Sequence, residues 1–258
     1  MRTGRSPHRS RCGGADKRHF GGNAMLRVLL FLIVLVGAAL AAAAFVPLKT
    51  VIDLAHLGKI GFTTAGTEGT AWEGRIYDAQ LGKIALGDIE THAVPAELLK
   101  GRLRIDMTGT NPGTQLSGGF SIGWGGIGID ALNLTASVPG EGPVPGGTLF
   151  VENLTARFPG THCGTADGST RAYIPSPLAG VVPAGSMQGP ALCRDGALTF
   201  DLASDTGEAT QEIAINATGG YRLRTVIKPR NALIAAGLSR KGFTPGPDGY
   251  VYQTERRL

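Results

Sequence analysis

The sequence is poor in the residues that most enzymes depend on. Aromatic residues make up 6% and charged residues 17% of its 258 positions, and it has five histidines and three cysteines. No HExxH pair, GxSxG elbow or Walker loop is present, and the glycines around Trp124, GWGGIGID (123–130), lack the strand and helix context of a dinucleotide fingerprint, so the signatures of zincins, serine hydrolases, P-loop proteins and Rossmann enzymes are all missing. An apolar share of 42% is ordinary for a folded chain, which excludes wholesale disorder. What the sequence does have is turn material. Forty glycines and fifteen prolines point to many turns and short strands, mainly β, with length enough for a sizeable core.

The formal charge of +5 belongs to one end. Residues 1–45 hold seven Lys and Arg against Asp16 alone, 7 − 1 = +6, and the remainder holds 18 basic and 19 acidic residues, 18 − 19 = −1. A groove for phosphates needs clustered cations on the folded part. The pairs Arg102/Arg104 and Arg222/Arg224 alternate with apolar residues and read as solvated strand faces, so no nucleic-acid partner is expected.

From Val28 to Val46 the chain runs nineteen residues without a charge, VLLFLIVLVGAALAAAAFV, long enough to cross a bilayer core. Basic residues precede it, which keeps the N-terminus cytoplasmic and exports the residues beyond about 47. A cleaved signal peptide is the rival reading, since Ala42-Ala43-Ala44 offers small residues to a peptidase, but the run exceeds the usual apolar region of about 7 to 15 residues. The expected organisation is a leader at 1–24, a single-pass inner-membrane anchor at 25–46 and a periplasmic β-rich domain at 47–258. Met25 is an alternative start to Met1, and Cys12 and His19 in the leader are discounted as ligands.

Two cysteines remain on the exported side, Cys163 and Cys193. An even count in an oxidising compartment reads as one disulfide. A metal site of His162, Cys163 and Cys193 is the alternative, without the paired spacing that zinc sites show.

Period-two alternation marks half-buried strands: Leu103, Ile105 and Met107 against Arg102, Arg104 and Asp106; Tyr221, Leu223, Thr225 and Ile227 against Arg222, Arg224 and Lys228; and Leu198, Phe200 and Leu202. A second pattern recurs in IALGDIE (84–90), IGIDALNL (127–134) and LFVENLTA (149–156), where the apolar phase resumes one position out of step. A one-residue slip sends side chains to the other face, so each site should hold a β-bulge or tight turn, in a curled, mostly antiparallel sheet. Short helices are expected at Pro95–Lys100 and at Pro229–Leu238, the latter ending near Gly237. Gly140–Gly147 and Pro175–Gly189 have loop compositions.

The exported histidines are His56, His92 and His162. Asp88 and Glu90 share a strand face, as solvated charges commonly do, Ser186 reads as a loop residue, and the glycines around Trp124 let strands bend. The sequons Asn133-Leu-Thr135 and Asn153-Leu-Thr155 read as chance matches. Trp72 and Trp124 flank apolar runs, as core or edge packing or, in the sharper reading, as anchors that dock a partner. No catalytic residue, metal or cofactor is expected.

In order, the apolar segment, TAWEGRIYDAQLGKIALGDIETHAVPAELLKGRLRIDM (70–107), the spaced cysteines with CRDGALTFDLAS (193–204) and GGYRLRTVIKPRNALIAAGLSRKGFTPGPDGYVYQ (219–253) together resemble protein N of the bacterial type II secretion system. The resemblance implies a non-enzymatic inner-membrane component, partnered by other secretion components, that supports the apparatus moving folded proteins across the outer membrane. The alternative is an anchored groove that binds or passes lipid; no other small-molecule ligand is expected.

Overall fold

The computed structural model describes residues 28–35, 45–54, 58, 61–175 and 185–257. The chain divides into two compact units, Met1–Ala43 and Ala44–Leu258. In the first, residues 28–35 are helical (α1); the leader and the rest of the apolar run up to Ala44 lie outside the described residues. Among the described residues no helix is long and apolar enough to cross a membrane.

The second unit opens with α2 (Leu48–Leu54), a helix absent from the sequence reading, and continues as β1 (Phe62–Thr63), β2 (Gly66–Gly69), β3 (Glu73–Leu81), β4 (Ile84–Ala93), α3 (Pro95–Leu98), β5 (Arg102–Asn111), β6 (Thr114–Gly123), β7 (Gly126–Val138) and β8 (Gly147–Phe158). There follow β9 (Thr165–Ile174), β10 (Gly185–Arg194), β11 (Ala197–Ser204), β12 (Ala209–Ile215), β13 (Gly220–Ile227), α4 (Ala232–Arg240), β14 (Thr244–Gly246) and β15 (Gly249–Arg257). Sequence neighbours pair almost throughout, in one 15-stranded sheet ordered β1-β3-β4 through β13-β15-β14, with β2 also on β3. Every pairing is antiparallel. The terminal strands do not pair with each other, so the sheet curls without closing.

Each of the three out-of-step patterns holds a register shift. Ile76 faces Ile89, but Ala79 faces Gly87 and Gln80 faces Ala85. Ile129 faces Ala156, whereas Leu132 faces Leu154 and Leu134 faces Val151. Three non-glycine residues at these shifts, Asp78, Ala131 and Asn153, adopt positive φ of 47°, 50° and 52°. Their amides do not go unpaired, because a side chain of the neighbouring strand accepts from each one: Asp88 Oδ1 from Asp78 at 3.1 Å, Thr155 Oγ1 from Ala131 at 3.3 Å and Asn133 Oδ1 from Asn153 at 2.9 Å. Two of the sequon residues, Asn133 and Thr155, therefore brace bulges.

Helix α3 appears where PAELLK foretold it, with Pro95 in its first turn. Helix α4 begins later than expected because Asn231 caps it, its side chain accepting from Ile234 N at 2.9 Å. It also runs through Gly237 and stops at Arg240, just before Gly242 (φ 91°). Of the second expected loop, Gly185–Gly189 belongs to strand β10, and 176–184 lies outside the described residues. Three apolar clusters fill the inner face: one around Leu48, Ile76 and Ile89, one around Val151, Leu154 and Phe200, and one around Leu223, Ile227 and Leu238.

Candidate functional site: an apolar cavity under a strap

Where these clusters meet, the curl leaves a cavity of about 580 Å³. Leu81 and Ile84 from the first strands and Ile213 and Leu223 from β12 and β13 line it together, as do Leu149, Ile174 and Phe200 between them. Strands far apart in the sheet order thus face one apolar space. Alternation along each strand supplies this lining, since every second side chain points inward.

The connection from β7 to β8, residues 139–146, crosses this space as a strap. Glu141 and Val144 exchange backbone hydrogen bonds of 2.8 and 3.1 Å, making a tight tip. Val144 is buried in the cluster of Leu223 and Ile227. Glu141 forms an ion pair with Arg256, Nε 2.8 Å away, and lies 3.7 Å from Lys83 Nζ. The Tyr221 hydroxyl is pushed above its ordinary value of 10.0, chiefly by burial and then by the negative charge of Glu141. Lys83, Glu141, Arg256 and Arg257 are the charged residues of a mainly apolar lining.

The other face is ionic. Arg194 pairs with Asp201 and Glu212, and Arg222 reaches the same Glu212 at 3.2 Å. Arg102 pairs with Glu97, and Arg104 with Asp106 at 2.7 Å. Of the arginine pairs singled out in the sequence, Arg102, Arg104 and Arg222 thus each meet a carboxylate of the same body. Asp88 and Glu90 are likewise engaged, the first with the Asp78 amide and the second with Arg75.

Cys163, in the turn after β8, and Cys193, in β10, form a disulfide with Cα atoms 5.5 Å apart. Trp72 is half-buried at the start of β3, whereas Trp124, at the tip of the β6–β7 hairpin, is 98% exposed. The two are not brought together in one pocket; neither lines the cavity. His92 and His162 are exposed, and His56 lies outside the described residues. Among the described residues no group of three or more His, Cys, Asp or Glu side chains could hold a metal. Sequence reading missed the strap: Glu141 and Val144 sit in a loop-like stretch, and only GEGPVPGG, rich in turn formers, marks the place.

An open, all-antiparallel sheet curled around an apolar interior, with ion pairs outside, defines a β-scaffold with a covered hollow. The family model for type II secretion system (T2SS), protein N matches residues 61–253, and the chain belongs to that family. It is a component of the type II secretion system. No curated protein and no solved structure matches the chain.

Proposed function

We propose that this protein is a non-enzymatic scaffold of the secretion apparatus, anchored in the bacterial inner membrane by the apolar run at 28–46 with its curled sheet in the periplasm, where it supports assembly by docking another component. The observation that carries this reading is the asymmetry of the two sheet edges. At one edge β14 is three residues long and contains Pro245, features that block pairing. At the other, β2 (Gly66–Gly69) lies on β3 beside half-buried Trp72, and among the described residues no strand pairs with its far side. Such an edge accepts a partner strand by main-chain hydrogen bonds. Thr67→Pro should abolish co-purification with other secretion components while leaving the melting temperature nearly unchanged; an intact complex would refute edge docking.

The cavity supports a second reading, in which the hollow holds a lipid. Its apolar lining, with cations at Lys83, Arg256 and Arg257, suits an acyl chain bearing an anionic head. Mass spectrometry of lipid extracted from the purified full-length protein decides between them: stoichiometric lipid favours the carrier, whereas secretion partners without it favour the scaffold.

A further inference from the structure

The end of the sheet at which the chain enters carries a set of exposed apolar side chains. The Val46 carbonyl accepts from Ala71 N at 2.8 Å, and the carbonyl of the next residue, Trp72, accepts from Ala93 N at 2.9 Å. Two residues beyond Ala93, α3 begins. Gly101, which closes that connection with its N–H on Leu98 O at 3.0 Å, lies against the indole of Trp124; a Cβ there would sit 3.1 Å from Trp124 Cδ1. Hydrogen bonds and contacts thus string Val46, Trp72, α3 and the β6–β7 hairpin along one rim.

On that rim Leu99 is 92% exposed, Trp124 98% and Phe45 78%, with Leu98 and Ile127 less so. Elsewhere in this body, among the described residues, only Tyr173 and Leu233 are large apolar side chains with comparable exposure. Single exposed leucines are ordinary, but a contiguous group marks an interaction surface. Glu97 of α3 is held by Lys100 at 2.7 Å and by Arg102, which also lies 3.9 Å from Asp130, so the cation that stands out at the exit of α3 is Lys100, its side chain 66% exposed. The uncharged run of the sequence ends at Val46, on this same rim.

We infer that this rim rests on the bilayer itself: Trp124, Leu98 and Leu99 enter the headgroup region of the outer leaflet of the inner membrane, with Lys100 against anionic lipid phosphates. The inference rests on the anchored, periplasmic reading. Tryptophan favours the membrane interface because its ring is apolar while its N–H stays hydrated, and a lysine stem lies along apolar surface while its ammonium reaches the phosphates. Trp124 on the free tip of a hairpin suits that depth, and the docking role foreseen for it passes from a protein partner to lipid.

Full-length protein with Trp72→Phe leaves Trp124 as the single tryptophan, a reporter of its own depth. The protein is reconstituted in phosphatidylcholine–phosphatidylglycerol vesicles with and without brominated acyl chains. Bromination should quench Trp124 roughly twofold or more and its emission should be blue-shifted, as for an interfacial indole. In a variant that also carries Leu98→Ser and Leu99→Ser, quenching should fall. Emission typical of water and no quenching, in protein that resists carbonate extraction, would overturn the inference and leave the anchor standing. Extraction by carbonate would overturn both.

Discussion

The carboxylate of Glu141 lies 2.8 Å from Arg256 Nε, tying the tip of the strap between β7 and β8 to the end of the last strand. Because Arg256 is more than half exposed, the pair is screened and worth at most about 1 kcal/mol. Its effect should be local. In Glu141→Gln, the amides of residues 141, 142, 144 and 146 should exchange faster with solvent while those of β12 stay unchanged. Unaltered exchange in the strap would mean that burial of Val144 alone holds it.

Acid should unfold the protein through two paired carboxylates. Burial pushes Asp130 up, but hydrogen bonds from Arg157 and Ser121 and the charges of Arg157 and Arg102 outweigh it and hold the group below its ordinary 3.8. Hydrogen bonds from Arg102 and Lys100 hold Glu97 below 4.5. With folded values depressed, the unfolded state takes up protons first, so this stability is present above the ordinary values and lost as pH falls through the depressed ones. The melting temperature should be flat above about pH 5 and fall below the ordinary values of 4.5 and 3.8. Asp130→Asn should flatten that fall; an identical slope in the variant would exclude Asp130 as a source.

The bulge residues give a test with the opposite sign. Ala131 holds φ 50°, a conformation that costs an L-residue about 1 to 2 kcal/mol and glycine almost nothing. Glycine is also more disordered when unfolded, so Ala131→Gly should stabilise by up to about 1 kcal/mol in urea titration. Asn153→Gly, at φ 52°, should gain less, since asparagine tolerates this region. A loss on Ala131→Gly would show that the methyl group contributes more than the strain costs.

Reducing the Cys163–Cys193 bridge should destabilise the fold. The cysteines are 30 positions apart, and closing such a loop stabilises by roughly 3 to 4 kcal/mol on the chain-entropy view. Cys163→Ser with Cys193→Ser should lower the urea midpoint by a corresponding amount, and reductant should then have no further effect. An equal midpoint in oxidised and reduced protein would contradict this.

Much of the fold was legible because its causes are local. Alternation in Leu198, Phe200 and Leu202 places these side chains on one face, and all three are buried. Out-of-step apolar residues at IGIDALNL and LFVENLTA located the register shifts, since a slip of one residue must be absorbed where it occurs. The helix boundaries were less legible. Gly237 looked like a terminator, but Asn231 moved the start of α4 onward and Gly242 supplied the stop. Helix α2 had no signal strong enough to separate its LKTVIDL from the apolar run before it.

The site was hidden for a different reason. Trp72 and Trp124 look alike in sequence, each beside glycines and an apolar run, and their exposures differ because the first meets the start of β3 while the second stands at the tip of a hairpin, 98% exposed. Likewise Glu141 reads as one charge in a turn.

By itself the sequence determined an antiparallel β-protein with bulges at stated places, a cysteine pair and the order of motifs that marks its family, because pleat period, turn chemistry and residue type act over a few neighbours. Tertiary structure alone decided that the sheet curls without closing, that Leu81 and Leu223 share one cavity, and that the 139–146 strap crosses it. Those outcomes depend on twist summed over many strands and on contacts between distant segments, which no local pattern encodes.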